Sequence, residues 1–140
     1  MHYLDTSVLV AFYLPEPMNS KVQKVCSGLD AIAISGLSEV EFHSAIARRI
    51  RMNELTKDDA LKVVSQFKVH ADGGFYRMIA IEQRDYMLAR DWLVTFHTAL
   101  RTLDALHLAI AFSNGLSVVT ADKVLAESAR HFGVKQQLIS

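Results

Sequence analysis

Short apolar runs alternate along this chain with longer stretches in which apolar side chains return every three or four residues. Strand-type runs fall at Tyr3–Leu4, Ala31–Ile34, Phe75–Ile79, Leu116–Val119 and Val134–Leu138. Val8, Phe12, Val22, Val25 and Leu29 have helical spacing and predict an early helix pair broken at Pro15. Val40, Ala45, Ile46, Arg49 and Ile50 predict a helix from about Ser38. Thr56-Lys57-Asp58-Asp59 reads as a helix start, a threonine cap with an acid three residues on. Glu82–His97 and Leu103–Ser113 predict two more helices, and Asp122–His131 a last one closed by Gly133. Strand alternating with helix implies an α/β fold: a mainly parallel central sheet with helices on both faces, three layers deep.

At 140 residues and 51% hydrophobic, the chain can bury one substantial core. A single domain spanning residues 1–140 is therefore expected. Gly73-Gly74 and Pro15-Glu16-Pro17 are its strongest punctuation and read as turns within it. Fifteen basic residues balance fifteen acidic ones, so the molecule as a whole has no field for steering a polyanion. A nucleic-acid binder of this composition would need local basic patches or bound divalent metal. The single cysteine, Cys26, excludes an internal disulfide, fits a reducing cytoplasm, and reads as a small buried hydrophobe on an early helix. Ser7–Leu14 is too short to span a bilayer and no basic segment precedes it, so a soluble cytoplasmic protein with no membrane association is expected.

The chemistry lies in four acids embedded in apolar sequence: Asp5, Glu41, Asp104 and Asp122. Burying a carboxylate costs several kcal/mol unless something pairs with it, and four such cases point to a shared cation. Ligands of open parallel sheets bind beyond the carboxyl ends of strands, where Asp5 and Asp122 fall. Glu41 and Asp104 are placed on helices near their N-termini. Carboxylates are hard oxygen donors, suited to magnesium or manganese rather than zinc. Such a site can activate a water against a phosphodiester and stabilise the departing oxygen. In that scheme Asp5, Asp104 and Asp122 are the principal ligands, and Glu41 is a ligand or an orienter of a metal-bound water.

Other acid-rich chemistries fit less well. A phosphatase with a strand-end aspartyl nucleophile usually has a second Asp two residues on, where this chain has Ser7. A phospho-receiver wants adjacent acids, but Asp5 is followed by Thr6. Only Asp104-Ala105-Leu106-His107 approaches an acid-x-x-His di-iron motif, and it is single. There is no glycine-rich phosphate loop and no zinc spacing.

Taken in order, Tyr3-Leu4-Asp5-Thr6-Ser7-Val8-Leu9, Ile34-Ser35 followed by Glu41, Leu103-Asp104-Ala105-Leu106-His107-Leu108-Ala109 and Val119-Thr120-Ala121-Asp122 resemble the PIN-domain ribonucleases, specifically the VapC-type toxins of toxin–antitoxin pairs. The match spans nearly the whole chain; no single motif is specific, but the ordered set is. The resemblance implies a PIN-like fold, metal-dependent endonucleolytic cleavage of RNA, a homodimer, and inhibition by a cognate antitoxin protein. Some relatives carry a further acid beyond the last Asp, where this chain has Lys123-Val124-Leu125. One magnesium or manganese site is therefore expected, and a second is left open. Two other readings stand beside this one: a PIN module that binds RNA or protein without cutting, and a PIN nuclease with no antitoxin.

Several neighbours have two readings each. Thr6 and Ser7 are expected to cap the first helix, with support of Asp5 or of a water as the alternative. Thr120, on the strand leading to Asp122, is expected to support the metal site. Glu39 and Glu41 point in different directions on a helix, and the family match favours Glu41. His107 shares a helical face with Asp104 and is read as a packed, hydrogen-bonded core residue, His43 as a surface one. Arg48 and Arg49, seven and eight residues beyond Glu41, form either a solvated basic face or an RNA-backbone contact. Trp92, near Leu88, Leu93 and Phe96, is read as core or dimer interface rather than a base-stacking platform.

Overall fold

The computed structural model describes residues 1–140. Five strands form one sheet: β1 (His2–Leu4), β2 (Ile32–Ser35), β3 (Tyr76–Ile79), β4 (Ser117–Thr120) and β5 (Gln136–Leu138). Their order is β3-β2-β1-β4-β5 and every pairing is parallel, with Tyr3 opposite Ala33 on one side and Val118 on the other. The helices are α1 (Thr6–Tyr13), α2 (Asn19–Ser27), α3 (Gly36–Arg51), α4 (Lys57–Asp72), α5 (Gln83–Leu93), α6 (Thr102–Ser113) and α7 (Lys123–His131).

Strand alternation sends neighbouring side chains to opposite faces. Leu4, Ile32, Ile34 and Val119 pack with Val8, Leu9, Val22, Phe42 and Phe67 on the α1–α4 side. Tyr3, Ala33 and Val118 pack with Leu108, Ile110, Leu125 and Ala129 on the side of α6 and α7. The same parity gives Ser35 and Thr120 to the α6 side, with Asp5 continuing the series from Tyr3. Because β2 and β3 extend one way from β1 while β4 and β5 extend the other, the chain reverses its winding between β1 and β4. That switch point opens a crevice at the carboxyl ends of these two strands.

The elements anticipated from periodicity are all present, with shifted ends. Thr56 caps α4, its hydroxyl oxygen accepting from the Asp59 amide at 3.2 Å, and Cys26 is buried on α2. Gly133, with φ 73°, follows the end of α7 in a conformation that side chains resist. Two expectations differ. The helix read from Glu82 to His97 stops at Leu93: Thr95 turns its hydroxyl onto the Trp92 carbonyl at 2.7 Å, and Phe96 takes a left-handed φ of 57°. Phe96 is consequently 86% exposed, whereas Trp92 stacks on Phe132 at 4.7 Å. Val40, placed in the apolar stripe of α3, instead faces solvent. No helix is long and apolar enough to cross a membrane.

The α1–α4 side holds an aromatic stack in which Phe67 lies 4.7 Å from Phe42 and 5.7 Å from Tyr76. Phe67→Ala should cost about 3–5 kcal/mol through lost transfer energy and the cavity left behind. Urea unfolding checks this, and a loss under 1 kcal/mol would show the stack to be loosely packed.

Candidate active site

Asp5 follows β1 directly and serves as the N-cap of α1. Its backbone is extended (φ −74°, ψ 167°) and its Oδ1 accepts from the Val8 amide at 3.0 Å. Ser7 donates its hydroxyl to the same oxygen at 2.7 Å, and Thr120 donates to Oδ2 at 2.6 Å. Thr120 also accepts from the Asp122 amide at 3.0 Å, so one hydroxyl ties the end of β4 to the end of β1. Asp122 in turn caps α7, accepting from the amides of Val124 and Leu125 at 2.9 and 3.3 Å. The expectation that Thr6 and Ser7 cap the first helix is thus corrected: Asp5 holds the cap, Ser7 supports Asp5, and Thr6 reaches elsewhere. An aspartate side chain just before a helix takes the amides more readily than hydroxyls already inside the first turn.

Glu41 stands in the second turn of α3, half-buried. Its Oε1 accepts from the Thr6 hydroxyl at 2.9 Å and from Nε2 of His107. His107, 2% exposed, bonds through Nδ1 to the Tyr3 hydroxyl at 2.6 Å, which in turn lies 2.8 Å from Ser35 Oγ and 3.2 Å from Ser38 Oγ. His107 is therefore a packed, hydrogen-bonded core residue, as expected, and His43 is exposed. Sequence reasoning missed Tyr3, Ser38 and the role of Ser35. The signal available was the alternation that puts residues 3 and 35 on one face of adjacent strands.

Asp104, in the first turn of α6, is half-buried and lines a cleft of about 390 Å³ together with Glu41, Arg101, Thr102 and Leu103. Its nearest cation is Arg101, with Nε 3.8 Å from Oδ2, a loose pair on an exposed arginine. Arg48 and Arg49 border an adjacent cleft that also includes Thr6 and Ser7. Arg48 is exposed; Arg49 bonds to Glu16 at 2.9 Å and pairs with Glu54 at 3.4 Å, so its charge is largely neutralised within the fold.

Electrostatics mark these acids as crowded. Burial lifts the Asp5 carboxyl above its ordinary range despite opposing bonds from Thr120, Ser7 and Val8. Burial likewise raises Asp104; Arg101 opposes it, and the negative charges of Asp122 and Asp5 add to it. Burial also works to raise Glu41, but its pairing with His107 and the bond from Thr6 outweigh it and hold Glu41 below its usual value. Desolvation pushes the Tyr3 hydroxyl up to about 12, so it stays protonated. The acids border one region without closing a cage: no three carboxylate, imidazole or thiol groups converge tightly enough to hold a metal ion by themselves.

A raised folded-state value means that the folded chain binds protons the unfolded chain has already released. Asp5 and Asp104 therefore make stability fall as pH rises from their ordinary value of 3.8 toward their folded ones, while Glu41 acts in the opposite sense at lower pH. Asp104→Asn removes one of these charges. In EDTA at pH 7 it should unfold a few degrees above the unsubstituted chain, with the difference vanishing near pH 3. A Tm at or below that of the unsubstituted chain at pH 7 would show that the Asp104 charge is no burden on the fold.

Against known proteins, the PIN domain model matches residues 2–130. No curated relative matches the chain. Among solved structures, VapC20 from Mycobacterium tuberculosis, a sarcin–ricin loop cleaving toxin, superposes with a TM-score of 0.74 at 14% identity, covering 91% of this chain and 95% of that one. FitAcB from Neisseria gonorrhoeae gives 0.70 at 18% identity, over 97% and 96%. VapBC2 from Rickettsia felis, bound to a DNA fragment from their promoter, gives 0.70 at 15% identity over 100% of both chains. At such identities the likeness speaks for the fold.

Proposed function

The chain belongs to the PIN-domain family, and on that premise we propose that it is a magnesium- or manganese-dependent endoribonuclease, the toxin of a VapBC-type toxin–antitoxin pair. The observation that carries the reading is the placement of Asp5, Glu41, Asp104 and Asp122 around the switch-point crevice, with Asp104 destabilised as an anion by burial first and by Asp122 and Asp5 in addition. Carboxylates that repel one another, with only one loosely held arginine nearby, suit a hard divalent cation. The fit needs few protein ligands, since water and substrate phosphate commonly complete magnesium's shell. An ion held by Asp5, Asp104 and Asp122 would supply charge neutralisation at the phosphate and an activated water.

The chain's own residues do the rest. Ser7, Thr120 and the Val8 amide fix the Asp5 carboxylate, so its charge is aimed before any ion arrives. Glu41, kept ionised by His107 and Thr6, can orient a water by accepting a hydrogen bond from it. Arg48, exposed beside Thr6 and Ser7, is the better candidate for an RNA phosphate contact, because Arg49 already answers Glu16 and Glu54. VapC20 lends support for an RNA target, and the VapBC2 structure for a cognate antitoxin. We extend both to this chain, together with a homodimer and a single domain.

Purified protein with manganese should cut a structured RNA pool, leaving 5′-phosphate and 3′-hydroxyl ends. EDTA should abolish cutting, and Asp104→Asn should reduce it by at least the roughly 10–100-fold typical of losing a supporting partner. A 2′,3′-cyclic phosphate product would overturn the mechanism. A non-cutting binding module is the second reading, favoured by the balanced charge and by Lys123-Val124-Leu125 where some relatives carry a further acid; no cutting and no heat of manganese binding would select it.

Arg48→Ala should lower the slope of log affinity against log salt for single-stranded RNA by about 0.7, the value of one phosphate contact. Arg49→Ala should change it less. Equal slopes for the unsubstituted chain and Arg48→Ala would remove Arg48 from the interface.

A further inference from the structure

A histidine buried only for packing needs partners for two ring nitrogens, and any pair would serve. His107 instead links the interior of the sheet to an acid at the cleft. On one side stands Tyr3, buried at the centre of the sheet; on the other, Glu41, which lines the cleft with Asp104. We propose that Tyr3 and His107 are positioning residues that lock Glu41 by its Oε1 atom and leave Oε2 as the only oxygen offered to the cleft, a role that rests on the nuclease reading above.

The direction of the hydrogen bonds follows from the donors. Ser35 and Ser38 form a reciprocal cap: Ser38 Oγ accepts from the Ser35 amide at 3.1 Å, and Ser35 Oγ accepts from the Ser38 amide at 3.4 Å. Each hydroxyl keeps its own proton to give, and with the two oxygens 3.3 Å apart at least one of them can donate to the Tyr3 oxygen, at 2.8 or 3.2 Å. Tyr3 then gives its own proton to His107 Nδ1, and the ring proton sits on Nε2, facing Glu41. Thr6 adds a second donor to the same Oε1 atom at 2.9 Å. Oε2 makes no bond within the protein and is not among the buried unpaired atoms, so it is open to solvent on a residue that lines the cleft. A carboxylate held this way has one geometry and one free oxygen, as expected of a group that orients a water rather than chelating an ion.

The test is nitrogen NMR of the imidazole rings in the full-length chain, run beside cleavage kinetics and manganese calorimetry. The unsubstituted chain should show His107 protonated at Nε2, and Glu41→Gln should move that signal. Tyr3→Phe should mix the tautomers and lower kcat on the order of 10-fold, leaving KM and manganese affinity unchanged. His107→Gln, whose amide nitrogen can stand near the place of Nε2, should keep more of kcat than His107→Leu, and it serves also if Tyr3→Phe fails to fold. An Nδ1-protonated ring, or signals indifferent to Tyr3→Phe and Glu41→Gln, would overturn the proposal, as would equal losses in the two His107 variants. If the chain cuts no RNA, the nuclease reading fails separately, and the imidazole signals still decide whether Tyr3 and His107 hold Glu41.

Discussion

A carboxylate buried at the end of the central strand is the constraint around which this end of the molecule is built. Asp5 is 5% exposed, and leaving a carboxylate unsolvated without partners would cost several kcal/mol. Its partners are two hydroxyls and one amide rather than a lysine or arginine. Ser7 and Val8 come from the helix that Asp5 itself starts, whereas Thr120 comes from the neighbouring strand. Registering β4 against β1, with Leu4 opposite Val119, brings Thr120 to that oxygen. The sheet pairing and the site are thus one arrangement seen at two scales.

Neutral donors satisfy the geometry of the acid without cancelling its charge. The negative charge of Asp5 remains to act on Asp104, whose carboxyl is raised by burial and by its acidic neighbours. The fold by itself therefore holds repulsion among acids at the cleft. Glu41 is treated differently: its stronger partners keep it ionised while fixing its direction. Two acids of similar chemistry are set apart by what surrounds them, as acid and base assignments usually are.

The helices follow the same economy of position. Asp5 and Asp122 both cap helices that begin immediately after strands, so each acid satisfies backbone amides at the carboxyl end of the sheet. Negative charge at a helix N-terminus is favoured by the helix dipole, which offsets part of the crowding. The three arginines in the last turn of α3 sit at the opposite, favourable end of their helix, and Glu16 draws Arg49 away from solvent.

The order of strands and helices was legible from periodicity alone, because a half-buried strand repeats every two residues and a helix every 3.6. The four acids stood out in the sequence too, since carboxylates in apolar runs are costly enough to need a reason. Helix ends were less so: nothing in Glu82–His97 warned that Thr95 would take the Trp92 carbonyl and that Phe96 would turn left-handed into solvent. The contacts between distant segments were not legible at all. That Thr6 serves Glu41, that Arg49 meets Glu16, and that Tyr3 joins Ser35 to His107 depend on strand order and on which face each residue occupies. Local sequence sets each residue's chemistry and its periodicity. Only the parallel register of β1 between β2 and β4 decided which of those chemistries would touch, because hydrogen bonds form over about 3 Å between residues a hundred positions apart.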